Sequence, residues 1–198
     1  MKRLSAILLA LPLVLCGACS EEEETLPQQR ERIVSYLTST HSPTLVAESE
    51  VDTESQQAFY STSGNTVYRY IDNYYDPARP GRAEVTASSK VTITFRAYVF
   101  TFTNITDSTY PFYSNDPLLK SAYEEMGLTE GAWSFEPFQI DMRDGDIIKG
   151  LRLALLGCRQ GDEVEAYMTY NMGYGDTNFS TIARDSPLAW FFTVDAVE

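Results

Sequence analysis

The chain is predicted to adopt an α+β fold whose elements run helix, strands, one short core helix, strands. Three observations carry this. The stretch EVTASSKVTITFRAYVFTFTN alternates its side chains in the period of a strand. DIIKGLRLALLG is apolar on nearly every side, as suits a helix enclosed by a sheet. DEVEAYMTY and PLAWFFTVDAV then return to strand patterns.

Taken in order, QQRERIVSYLTST carries Ile33, Val34 and Leu37 with Tyr36 on one face of a short helix that starts near Pro27 and ends before Pro43. TLVAESEVDTESQQAFYSTS has no sustained period and reads as loop with at most one short strand. NTVYRYIDNYY is a strand, with Val67, Arg69 and Ile71 on one face and Tyr68 and Tyr70 on the other. DPARPG breaks it. In the long strand that follows, Val91, Ile93, Phe95, Ala97, Val99 and Thr101 share one face. The other face changes from polar (Thr92, Thr94, Arg96) to aromatic (Tyr98, Phe100, Phe102) halfway, so something must pack there. Residues 104–135 hold turn signals, a helical piece around LLKSAYEEMG, and the aromatics Phe112, Tyr113, Trp133 and Phe135. EPFQIDM is a short strand, and neither a repeat nor a second domain is visible.

The amino terminus reads as an address. Lys2 and Arg3 precede an apolar run from Leu4 to Leu15, too short for a spanning helix, as in a secretory signal over residues 1–18. Small residues Gly17 and Ala18 directly before Cys19 resemble the lipobox of bacterial lipoproteins, which makes Cys19 the lipidated residue. Residues 19–26 follow as an acidic tether, because the adjacent carboxylates Glu21 to Glu24 repel one another. Two readings of that acidic run stand: a resemblance to the export signal of surface lipoproteins in Bacteroidetes, and a plain soluble spacer.

Composition excludes several function classes. With Lys2 and Arg3 set aside from the 15 basic residues, 28 acidic ones leave a net charge near −15, so nucleic acid is not an expected partner. After Cys16 and Cys19 are accounted for, Cys158 stands alone and no internal disulfide is possible. The single histidine, His41, sits in polar THSPT, which leaves no Ser-His or Cys-His pair and no zinc spacing. Asp141, Asp144 and Asp146 in DMRDGD read as a turn with solvated carboxylates rather than a calcium loop. No metal and no cofactor is expected.

DIIKG followed by LLGCRQGD, an alternating strand and MGYGD resembles the FKBP-type peptidyl-prolyl isomerases, and EPF upstream and DSPLAWFFTVDAV downstream fit the same register. The resemblance covers roughly residues 90–198. The leader of residues 27–89, with RERIVSYL and TVYRY, resembles that of lipid-anchored members in Bacteroidetes. It implies an FKBP-like antiparallel sheet of about five strands curled around a short central helix, behind an N-terminal helix and strand leader. It also implies an outer-membrane lipoprotein, on the periplasmic or the cell-surface face, that isomerises proline-containing polypeptides as a monomer.

The family's site residues carry over one at a time. Phe95 falls where tyrosine is usual, Phe112 and Phe138 on two pocket phenylalanines, and Trp190 on the closing aromatic of the last strand. Ile147 and Ile148 match a Val-Ile pair whose second N–H holds a substrate carbonyl, and Leu151 sits at the pocket floor. Tyr174, between Gly173 and Gly175, matches the hydroxyl donor, and Ile182 supplies an apolar flank. Tyr113 stands where the family has aspartate, with Asp116 the available substitute. The resemblance thus names Tyr174, Ile148, Phe95, Phe138 and Trp190 as catalytic, and Phe112, Tyr113, Ile147, Leu151 and Ile182 as substrate-binding.

Each aromatic taken singly is also what a core contains. Three readings therefore stand at this point: an active isomerase for exported proteins, an FKBP-fold binding module or holdase with little isomerase activity, and a surface lipoprotein whose tyrosine-rich face binds glycan or peptide.

Overall fold

A computed structural model describes residues 20–127, 134–145 and 147–198, the first five by their backbone. The signal segment, Cys19, Trp133 and Asp146 lie outside the described residues.

Eight strands form one sheet: β1 (Val46–Ala47), β2 (Phe59–Ser63), β3 (Val67–Ile71), β4 (Lys90–Val99), β5 (Tyr113–Ser114), β6 (Phe138–Asp141), β7 (Glu163–Met168) and β8 (Leu188–Val197). Among the described residues three α-helices accompany them: α1 (Ser20–Ser39), α2 (Lys120–Glu125) and α3 (Lys149–Leu155). The strand order is β1-β2-β3-β7-β8-β4-β5, with β6 also pairing β4, and every pair is antiparallel except β1 with β2. Strands β4 to β8 are the five that the resemblance implies. The other three come from the leader, and β3 joins β7 along its whole length, from Val67 opposite Met168 to Ile71 opposite Val164.

Two corrections concern the leader. The stretch expected to hold at most one strand holds two, because FYSTS is short and its outer positions face solvent, which hides its alternation. α1 starts at Ser20, so the run expected to be an unfolded tether has helical backbone, and Pro27 lies inside the helix rather than at its start. A proline deletes one backbone donor. The segment after it carries the packing: Gln29, Ile33, Tyr36 and Leu37 are buried at helical spacing.

The sheet is covered on both sides. On the first face α3 packs against Val67, Phe95, Ala166, Met168 and Trp190, with Gly150, Leu151, Ala154 and Leu155 turned inward. On the second face α1 lies across Tyr68, Tyr98, Phe100, Tyr167 and Ala189 through Ile33, Tyr36 and Leu37. The aromatic half of the long strand thus has its cover: Tyr36 meets Phe100 and Tyr167 edge-on, with ring centroids 5.0 and 5.4 Å apart.

α3 approaches β7 closely because residue 150 is glycine: a Cβ there would strike Met168 Sδ and lie 2.9 Å from the Met172 carbonyl oxygen. Arg69 of β3 donates to the Ala154 carbonyl at 2.9 Å and the Leu156 carbonyl at 2.6 Å, capping the end of α3. Arg79 closes the turn before β7 with two 2.8 Å bonds to the fully buried carboxylate of Asp162. The leader and the strands after it share these contacts.

Candidate functional site

On the first face, β4 changes partner midway. Its start pairs β6, with Ile93 opposite Phe138, and its end pairs β5, with Ala97 opposite Tyr113. Phe95 falls in the gap between them, and Asn115 stitches that gap. Phe95 N–H donates to Asn115 Oδ1 at 2.7 Å, while Asn115 Nδ2 donates to the carbonyls of Ile93 at 2.9 Å and Glu136 at 3.2 Å. A buried amide that satisfies three backbone groups holds this point rigid. Sequence reasoning missed Asn115. Its signal was a polar residue directly after an aromatic strand, which turn residues also give.

Over this point the aromatics gather. Phe95 stacks on Trp190, with centroids 4.8 Å apart and planes at 26°, and meets Tyr113 at 5.0 Å and Phe138 at 5.2 Å. These are tilted and offset contacts, the favourable arrangement for π faces. Phe95, Leu151, Ile182 and Trp190 are buried members of the core beneath, and Phe112, Tyr113, Phe138, Ile147, Ile148 and Tyr174 are partly exposed and packed against it. All ten expected site residues thus belong to the same hydrophobic core, the first four buried and the other six partly exposed. Ile182 is 2% exposed, so it lies in the core rather than at an open flank. The Trp190 indole N–H is buried with no acceptor among the described residues.

Two polar donors border the cluster. Ile148 precedes α3 in an extended conformation (φ −57°, ψ 142°), and its N–H has no partner among the described residues. Tyr174 follows a 3-10 turn at Tyr170–Met172, between Gly173 and a left-handed Gly175 (φ 75°). Gly173 passes so near β8 that a Cβ would lie 2.7 Å from Leu188 Cδ1. Burial, helped by the nearby Tyr113 phenol, raises the Tyr174 hydroxyl above its ordinary value, so it remains a protonated donor at neutral pH. Its ring sits 6.2 Å from Phe112 and stacks on Phe179 at 4.2 Å. Phe179 is a second residue that sequence reasoning missed, a lone aromatic in a polar loop.

Asp116 does not substitute for the carboxylate that Tyr113 replaces. Both Arg96 nitrogens, Nε and Nη2, lie 2.7 Å from its Oδ2, and its Oδ1 accepts from Leu118 N–H at 2.9 Å. Arg96 belongs to the second face, so the chain after β5 carries Asp116 away from the aromatics. A cavity of about 360 Å³ opens on that side, among Arg96, Asp116, Glu165 and Phe191, and reaches Phe95, Val164 and Phe192 of the core. Cys158 is fully buried, its thiol donating to the Ala154 carbonyl at 3.1 Å and pushed up to about 11 by burial. A thiol in that state is not a nucleophile.

Comparison with known proteins bears on this site directly. The family model of the FKBP-type peptidyl-prolyl cis-trans isomerases matches residues 121–195, the span from α2 to β8. No curated protein matches the chain. Among solved structures, a multi-domain immunophilin from Arabidopsis thaliana is similar at 13% identity and a TM-score of 0.48, over 70% of this chain and 45% of that one. The chain therefore spans less than half the length of that immunophilin. With an α+β sheet, short helices and an N-terminal helix around the matched span, the fold is FKBP-like, and together with the family match it supports an FKBP-type peptidyl-prolyl isomerase.

Proposed function

We propose that the protein is a peptidyl-prolyl cis-trans isomerase for exported polypeptides, which twists the X–Pro amide against its aromatic cluster. The observation that carries this reading is the contact of Phe95 with Tyr113, Phe138 and Trp190 beside Tyr174 and Ile148. Resonance gives the amide a barrier of about 18–20 kcal/mol. Both isomers of X–Pro are populated enough to matter. An apolar aromatic surface solvates the charge-separated planar amide less well than the twisted one. Ile148 N–H and the Tyr174 hydroxyl would hold the chain on either side of the turning bond, so the chemistry needs no nucleophile, metal or proton transfer. Phe112, Ile147, Leu151 and Ile182 complete the binding surface. Acylation at Cys19 would hold the protein, as a monomer, to the outer membrane.

A protease-coupled assay on a proline tetrapeptide tests this. Wild type should exceed the uncatalysed rate, and Tyr174→Phe and Phe138→Ala should each lose about tenfold or more in kcat/KM. A rate equal to the uncatalysed one would sink the proposal. Labelled-palmitate incorporation that survives Cys19→Ser would remove the anchor.

A specific observation favours a second reading, a binding or holdase module with little isomerase activity. Tyr113 offers no carboxylate, Phe95 no hydroxyl, and Asp116 is engaged by Arg96. Suppression of client aggregation without isomerase activity would decide for it.

A further inference from the structure

We infer that Gln29 of α1 is a positioning residue for Tyr174, so that the leader helix sets the geometry of the isomerase site. This rests on the reading of Tyr174 as the substrate donor. The segment from Tyr170 to Asp185 carries Tyr174, Phe179 and Ile182, and it is closed at its base: Gly175 N–H donates to the Tyr170 carbonyl at 3.0 Å, and Asp185 N–H donates to the Gly175 carbonyl at 3.0 Å. Gln29 binds both feet of this segment with one amide. Tyr170 N–H donates to Gln29 Oε1 at 2.9 Å, and Gln29 Nε2 donates to the Asp185 carbonyl at 2.8 Å. Gln29 is only 6% exposed, so water does not replace these bonds freely. A primary amide offers one acceptor and one donor group, and each meets one backbone group at a foot of the loop.

The consequence is physical. Without the Gln29 amide, two partly buried backbone groups lose these bonds, and a loop tied otherwise by a few bonds moves toward local opening. Tyr174 sits four residues from one foot, and a donor displaced by even an ångström loses its advantage. The matched isomerase span does not include this tie, because Gln29 lies far ahead of residue 121.

The test uses the full chain and amide hydrogen exchange. In Gln29→Ala, exchange at the Tyr170 and Asp185 amides should quicken by about tenfold or more, while β7 and β8 amides stay unchanged. Gln28→Ala, at an exposed neighbouring position, should change nothing. Gln29→Glu keeps the size and can still accept from Tyr170 N–H, but it cannot donate to Asp185, so only the Asp185 end should loosen. Unchanged exchange at both feet, or a rise shared by β7 and β8 in both variants, would overturn the inference. In the isomerase assay, the kcat/KM loss of Gln29→Ala should disappear in a Tyr174→Phe background, and additive losses would count against positioning. An inactive wild type would remove the functional reading, and the exchange arm would still decide whether Gln29 holds the loop.

Discussion

Phe179 lies flat on Tyr174, with ring centroids 4.2 Å apart and planes 5° from parallel. Its outer face is open, the residue being 52% exposed. It therefore restrains the tyrosine without burying it from substrate. Phe179→Ala should reduce kcat/KM by about twofold to tenfold, the worth of an aromatic pair, with little change in the unfolding midpoint. Parallel measurements of kinetics and urea unfolding check this, and a large loss of stability would mean the ring belongs to the core.

Gly150→Ala tests the seat of α3. The added methyl meets the movable end of Met168 but also a backbone carbonyl at Met172, which cannot step aside cheaply. A loss of about 1–3 kcal/mol is expected from urea unfolding. Because Ile148 precedes this helix, substrate binding should weaken as well.

The Arg79–Asp162 pair joins the leader to the turn before β7. Asp162 is fully buried and also accepts from Arg159 N–H at 2.8 Å. Arg79→Ala leaves that carboxylate without its cation, and a loss of about 3–5 kcal/mol is expected by urea unfolding. Leu for both residues should cost less than the single change, since no charge then stays buried unpaired.

His41 gives stability a pH dependence. Its ring is buried, with Nδ1 2.5 Å from the Pro43 carbonyl and Nε2 2.8 Å from Glu165 Oε2. Both partners accept, so both nitrogens carry protons. Burial pulls the pKa down, but the bonds to Glu165 and Pro43 and the charges of Glu165 and Asp72 outweigh it, and the folded value lies above 6.5. This contribution is complete below pH 6.5 and lost as pH rises through the folded value. Unfolding free energy should fall across that interval in wild type, and His41→Phe should flatten the slope.

Much of this was legible in the sequence, for reasons that also mark the boundary. β7 is readable because its apolar positions follow one period, α3 because it is apolar on nearly every side, and β8 because its apolar run is long. The glycines at 150 and 173 stand where close packing forbids a side chain. That Tyr98 and Phe100 needed a cover was visible, but not that Tyr36 supplies it, since periodicity names a face and not its partner. Asp116 misled for a similar reason: the turn after β5 decides which face it joins. Asn115 acts through contacts some twenty residues along the chain, and Phe179 through a stack that only the loop's turn creates, so no local pattern separates them from ordinary loop residues.

The pairing of β3 with β7 has a consequence in time. Val67 meets Met168 across a separation of about a hundred residues, and α1 packs on strands later still. During synthesis α1 and Tyr68 of the leader are made first, but the Tyr167 and Ala189 surface that α1 also covers is added only with β7 and β8. Loop closure over that distance is slow, and an unpaired strand edge is open to wrong partners meanwhile. The sheet therefore closes only when β8 pairs with both β4 and β7, and the β3 edge must wait open until β7 reaches it.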